Sequence, residues 1–202
     1  MTVEASLRER KKQKTRRLLS EIALRRFAQK GVDATTVEEI CEEAEVSIST
    51  FFRYFPSKEA AAFPDEEIRV RVVSEVLETA PADEPLPKTI RRAALTLIDY
   101  DLDAKVELHK WHELLGQEPA LAAYALRVQN ESIETFTQLV AKRLGVDPAA
   151  DLRPRLVVQM AYAAVNSVWT AWTASGSDED DLRRLVNQAF DVLEAGLDKT
   201  LA

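Results

Sequence analysis

The chain of 202 residues is 46% hydrophobic, carries a formal net charge of −7 and contains one cysteine, Cys41. That length suits one domain or two small ones, a lone cysteine excludes an internal disulfide, and the negative balance argues against coating nucleic acid by bulk electrostatics. With no secretory-type opening and no apolar run near the roughly 18 residues of a membrane helix, a cytoplasmic protein without membrane contact is expected.

The charge is unevenly placed. Residues 1–30 hold ten Lys/Arg, among them Arg16, Arg17, Arg25, Arg26 and Lys30, against three acidic residues, so this end carries +7 and the remainder −14. A basic end that meets phosphate explains the asymmetry, and so does a solubilising arm. In the same stretch the apolar residues Leu18, Ile22, Leu24, Phe27 and Ala28 recur at helical spacing, predicting a helix that stops at Lys30-Gly31.

Thr36 precedes the next apolar-periodic stretch and Glu39 follows three residues on, the capping-box spacing that opens a helix near Val37. Val37, Ile40, Cys41 and Ala44 form its apolar face, and Glu45-Val46-Ser47 interrupts it. Ser47 caps a second brief helix, Ile48 to about Tyr54, and Pro56-Ser57 marks a break before a long fourth helix expected to begin near Lys58. Two short helices joined by a three-residue turn predict a helix-turn-helix.

Cys41 and Ala44 are small enough for the two helices to cross closely, with Val46, Phe51 and Phe55 filling the space beneath. The other face of the second short helix then presents Ser49, Thr50, Phe52, Arg53 and Tyr54. Such a mixture can donate to phosphates, touch a thymine methyl or stack on sugars in a major groove. Lys58 and Arg16 or Arg17 are spaced to hold the DNA backbone on either side. Cys41 reads as inert packing, because its own helix is acidic (Glu38, Glu39, Glu42, Glu43) and nothing basic nearby in sequence would favour the thiolate.

The segment Gly31 to Ala60, G-V-D-A-T-T-V-E-E-I-C-E-E-A-E-V-S-I-S-T-F-F-R-Y-F-P-S-K-E-A, preceded by A-L-R-R-F-A-Q-K at 23–30, resembles the TetR family of transcription regulators. The resemblance implies DNA contacts at Thr36, Ser47, Ser49, Thr50, Phe52, Tyr54 and Lys58. It also implies a DNA-binding head over 1–56 and a ligand-binding and dimerisation domain over 57–202, with helices four to seven around a cavity and the last two pairing with a second copy. Three departures stand out: Glu45 at a turn position where the family usually has Gly, the acidic helix, and Phe52 where many members have Tyr. A non-Gly residue in a left-handed turn costs roughly 1 kcal/mol, which the fold can bear. The four carboxylates are expected to angle away from the duplex.

Further along, stop signals at Ala80–Pro87, Gly116–Pro119, Gly145–Pro148 and Ser175–Ser177 bring the total to about nine helices with no strand, an all-α chain. Residues 155–173 are nearly apolar all round and demand burial on more than one side, with Ala161, Ala163, Ala164 and Ser167 permitting close helix approach. A helix from Asp178 to Leu197, apolar at Leu182, Leu185, Val186, Ala189, Phe190 and Leu193, is expected to supply a second interface face.

His109, His112 and Glu113 fall on one helical side at a spacing that suits a metal, yet no further ligand is evident and no metal is expected. Residues from Glu113 onward are similar to the actinobacterial TetR subgroup that includes the mycofactocin regulator, which implies an acyl-coenzyme A or other hydrophobic ligand. Arg91, Arg92 and Arg127 are candidates for its phosphates, and Trp111, His112, Leu115, Tyr124, Met160 and Trp169 for the rest of the pocket. No phosphate loop, nucleophile elbow or paired-carboxylate motif supports catalysis, and no cofactor is expected. The expected function is a homodimeric repressor released from a palindromic operator by a small molecule. An activator or ligand-independent regulator of the same fold, an all-α small-molecule-binding protein or enzyme, and a helical interaction module remain open.

Overall fold

A computed structural model describes residues 7–103, 108–175 and 178–196. Glu4, the Gly176-Ser177 turn and Leu197 lie outside the described residues. Those described form nine α-helices and no strand: α1 Leu7–Lys30, α2 Val37–Glu43, α3 Ile48–Tyr54, α4 Glu66–Thr79, α5 Leu86–Asp103, α6 Leu108–Gln117, α7 Pro119–Leu144, α8 Arg153–Ser175 and α9 Glu179–Ala195. A single 3-10 turn, Glu59–Ala62, lies between α3 and α4. No described helix is long and apolar enough to cross a membrane.

The turn at Pro56-Ser57 does not open a long helix. Lys58 precedes the 3-10 turn, whose three alanines are all buried, and α4 starts only at Glu66, so the helix expected from Lys58 begins eight residues later. The intervening Phe63-Pro64 explains the delay, because the residue before a proline is driven out of the helical region.

The chain folds as two compact units, each built from two segments. One comprises residues 1–66 and 113–126, the other 67–112 and 127–202. This differs from the division after residue 56 read from the sequence, because the end of α6 and the start of α7 contribute to the first unit's core. There Leu114 and Leu121 are buried with Leu19, Ile22, Phe27, Val32, Ile40, Phe51 and Phe55. Tyr124 stacks on Phe63 with ring centroids 5.1 Å apart.

In the second unit, α5, α8 and α9 surround a core that includes Ile98, Phe136, Val168, Trp169, Trp172, Leu182, Val186 and Phe190. The apolar face of α9 turns to this core: Leu182, Val186 and Phe190 are buried in it, and Leu185, Ala189 and Leu193 pack against it while remaining partly exposed. α8 is covered on one side only. Val158, Ala164, Val168, Trp169 and Trp172 are buried, whereas Leu156, Met160, Ala163 and Ser167 are exposed.

Candidate nucleic-acid interface

Two caps and one strained residue set the geometry of α2 and α3. The Thr36 hydroxyl accepts the Glu39 N–H at 3.2 Å while the Glu39 carboxylate accepts the Thr36 N–H at 3.0 Å, closing the capping box. Glu45 then adopts φ 53°, the left-handed conformation that the family resemblance anticipates for glycine. Beyond it Ser47 caps α3, its Oγ accepting the Thr50 N–H at 3.2 Å. Beneath, Cys41, Ala44, Phe51 and Phe55 are buried as expected, and burial, followed by the charge of Glu38, raises the pKa of the Cys41 thiol.

The acidic side of α2 is drawn onto α1. Lys30 Nζ donates to both Glu39 oxygens at 2.6 and 2.7 Å, Arg26 pairs with Glu43 at 2.7 Å, and Arg25 also pairs with Glu43. The hydrogen bond from Lys30, then that from the Thr36 backbone, lowers the Glu39 pKa to about 2. Lys30, Arg26 and Arg25 therefore bind carboxylates of the same unit.

On α3 the 100° step per residue sets the exposed arc opposite buried Phe51. Ile48 and Phe52 lie on one flank of it, 43% and 52% exposed, with Ser49 and Arg53 on the other; Thr50 and Tyr54 are half-buried at the edges. The Phe52 ring meets the buried Phe51 ring edge-on, centroids 5.6 Å apart, and the Arg53 guanidinium lies 5.3 Å from the Tyr54 ring centroid. The hydroxyls bond to one another: Ser47 Oγ lies 2.9 Å from both Ser49 Oγ and Thr50 Oγ1. Ile48 is the exposed residue that the sequence reading passed over. Its signal was the i, i+4 spacing to Phe52.

The flanking basic residues differ in setting. Arg17 is exposed, whereas Arg16 is half-buried with its guanidinium 5.2 Å from the Phe55 ring centroid. Lys58 is held: its ammonium donates to Val32 O at 2.6 Å and Thr35 O at 2.9 Å, with Asp33 O at 3.5 Å. In the same loop the Val32 N–H donates to Glu118 Oε2 at 3.2 Å.

The second unit contains a cleft open to solvent, with a cavity volume of about 90 Å³ and a lining almost wholly of apolar atoms. Val73 and Leu77 of α4, Ile90, Ala93, Ala94 and Leu97 of α5, Phe136 and Val140 of α7, and Val158, Ala161, Tyr162 and Val165 of α8 form its wall. α6 contributes nothing to this wall, and none of the ligand candidates Arg91, Arg92, Trp111, His112, Leu115, Tyr124, Arg127, Met160 or Trp169 lines it. Leu115 and Tyr124 belong to the other unit, and Met160 is on the exposed side of α8. Arg91 is paired with Asp191 at 2.7 Å and Glu194 at 3.0 Å, Arg92 with Glu84 at 2.8 Å, and Arg127 with Glu131 at 2.7 Å.

The two histidines pack against aromatic rings. His109 stacks on Trp172 with centroids 3.5 Å apart and His112 on Trp169 at 4.1 Å, with Trp111 edge-on to His112 at 4.7 Å. Desolvation, then the nearby Arg69 and His109, lowers the His112 pKa to about 4, so this ring is neutral near pH 7. Arg69 bonds the buried Asp101 carboxylate in the same unit. No group of three or more His, Cys, Asp or Glu that could hold a metal occurs among the described residues.

Residues 19–60 match the family described as bacterial regulatory proteins, tetR family, and residues 84–198 match that described as the MftR C-terminal domain. The HTH-type transcriptional regulator TcmR of Streptomyces glaucescens is 32% identical over 95% of this chain and 88% of its own length. Among solved structures, the fatty acid degradation regulator FadR from Bacillus halodurans has TM-score 0.59 at 20% identity, covering 91% of this chain and 96% of its own. NalD, the secondary repressor of the MexAB-OprM multidrug efflux pump in Pseudomonas aeruginosa, has TM-score 0.58 at 21% identity, covering 90% and 96%. Both structural likenesses concern the fold.

Proposed function

Because the chain belongs to the TetR family of transcriptional regulators, DNA-binding proteins and not enzymes, we propose that it is a homodimeric repressor that leaves a palindromic operator when a hydrophobic small molecule enters its second unit. The observation that carries the reading is the outward arc of α3, Ile48, Ser49, Phe52 and Arg53, exposed on a helix whose other side is anchored by Phe51 and Phe55. That arc enters the major groove, and the N-terminal turn of such a helix meets base edges. Ser47, Thr50 and Tyr54 at its edges, Thr36 at the start of α2, and Arg16 and Arg17 on α1 meet phosphates and set the register. Lys58 acts from behind, fixing the loop that leads into α2.

Dimerisation through the last two helices is supported on α8 by Leu156, Met160, Ala163 and Ser167, exposed at spacings of four, three and four. These spacings form one seam, as in paired helices. The small residues at its C-terminal end let a second helix come close. A two-fold pair places its recognition helices about 34–36 Å, or a multiple, apart and requires a palindrome.

The apolar wall of the cleft favours an uncharged, aliphatic ligand portion. An acyl-coenzyme A would have to find its cationic partners elsewhere or draw Arg91, Arg92 or Arg127 from their carboxylates. A ligand that binds the DNA-free state better by about 1–3 kcal/mol suffices for release.

The test is selection by the purified full chain from a randomised duplex pool, followed by gel-shift titration of the selected site with fatty acids and acyl-coenzyme A thioesters. A palindromic consensus released by one of these classes is the expected result. A pool that yields no preferred sequence overturns the regulator reading, and a consensus that no hydrophobic compound releases removes the inducer.

A further inference from the structure

We infer that the base-reading part of α3 is apolar, and that this protein recognises its DNA chiefly through thymine C5-methyl groups contacted by Ile48 and Phe52. The inference rests on the proposal that α3 enters the major groove and names what it reads there.

Three observations carry it. First, Ile48 and Phe52 are two of the large hydrophobic residues that the described chain leaves exposed, and they stand four residues apart on one flank of the same short helix. Side by side on a helix proposed to enter the groove, the two side chains form an apolar patch that an apolar counterpart would cover. The major groove offers one such group on its base edges, the thymine methyl.

Second, the hydroxyls at the start of α3 are engaged with one another, while exposed Arg53 stands on the opposite flank beside Tyr54. Ser47 Oγ accepts the Thr50 N–H and lies within hydrogen-bond distance of both Ser49 and Thr50 hydroxyls. Turning Ser47 toward a base would give up the bond that caps α3, and the Ser49 and Thr50 hydroxyls would each give up a bond to Ser47. Third, Phe52 is braced: its ring lies edge-on to Phe51, which is fully buried. A braced ring has lost much of its rotamer freedom before binding, so little entropy remains to oppose a methyl contact.

Thymine and uracil differ only by this methyl, so the DNA itself supplies the probe. The site selected from the randomised pool is resynthesised with deoxyuridine replacing thymine one position at a time, and binding by the full chain is measured for wild type, Ile48→Ala and Phe52→Ala. The expected result is about fourfold weaker wild-type binding for each contacted methyl removed, the share of one buried methyl-sized group. That loss should vanish at one position in Ile48→Ala and at another in Phe52→Ala.

Equal wild-type affinity for thymine and uracil forms of the site overturns the inference and leaves DNA recognition standing. A methyl effect that persists unchanged in both variants also overturns it, since the methyl then acts through other residues or through DNA shape. Failure to select any sequence removes the underlying reading as well. Because the primary comparison is between two DNAs with unaltered protein, no folding defect in a variant can obscure it.

Discussion

The Lys58 ammonium donates to the Val32 carbonyl at 2.6 Å, joining the residue just before the 3-10 turn to the loop that leaves α1. The same ammonium reaches Thr35 O, one residue before the cap of α2, so a single charge orders the approach to the helix-turn-helix. Lys58→Met should therefore destabilise the protein by about 1.5 kcal/mol, the lower end for hydrogen bonds to charged groups. Urea unfolding reads this directly. Unchanged stability with a selective loss of operator affinity would reassign the ammonium to a phosphate.

Val32 is held from its other side by Glu118, whose Oε2 accepts the Val32 N–H at 3.2 Å. Glu118→Ala leaves that part-buried donor unpaired and should cost about 1–2 kcal/mol. Glu118→Gln retains a carbonyl acceptor in the same place and should recover most of it. Thermal melts of the two variants separate the hydrogen bond from the charge, and equal loss in both would show that the charge matters more.

Acid should loosen the same unit. The folded pKa of Glu39, about 2, lies below its ordinary value of 4.5, chiefly through the Lys30 hydrogen bond. The folded state holds the proton less tightly, so the stability this carboxylate contributes is complete above about pH 4.5 and is lost as pH falls toward 2. Melting temperature measured across that window should decline less steeply in Glu39→Gln than in wild type. Parallel slopes would contradict the assignment.

His112 acts in a higher window, also with a depressed folded pKa, about 4 against 6.5. For a base this means that the unfolded chain takes up the proton first, so stability falls as pH drops from about 6.5 to 4 and then levels off. The full effect is of the order of 3 kcal/mol, at 1.36 kcal/mol for each pKa unit. His112→Phe keeps an aromatic ring against Trp169, and since His112 Nε2 is buried without a hydrogen-bond partner, the swap forfeits no bond there. Its stability should be nearly flat over that range, as chemical denaturation at pH 7, 5.5 and 4.5 would reveal.

The exposed seam of α8 offers a separate check. Met160→Arg places a charge among residues that face solvent in one chain, so it should leave the monomer's stability within about 0.5 kcal/mol, as surface changes usually do. Light scattering on a sizing column should then report the monomer mass in place of the dimer. A dimer that survives Met160→Arg and Leu156→Arg together would place the interface elsewhere.

Local chemistry made the first unit readable. Thr36 with Glu39, and Ser47 alone, mark helix starts through side-chain oxygens that find nearby backbone donors, and such short-range bonds are visible as spacing. Glu45 was identifiable from the resemblance as a strained turn. What spacing hides is which of several partners a residue takes. The apolar face of α9 could equally serve a core or an interface, and α5 and α8 claim it. Arg91 looked available for a phosphate because its carboxylates, Asp191 and Glu194, lie about a hundred residues away in sequence. Lys58 looked like a phosphate clamp for the same reason, since the carbonyls that hold it belong to a loop more than twenty residues earlier.

Leu114 and Leu121 lie in one core with Phe27 and Ile40, though more than seventy residues of chain separate them. A fragment cut after Glu66 would thus expose a groove where two leucines belong and would lose the acceptor for the Val32 N–H. Chimeras that graft this reading head onto another sensor must therefore carry residues 113–126 with it, which makes the α6–α7 corner part of the inheritance of operator specificity.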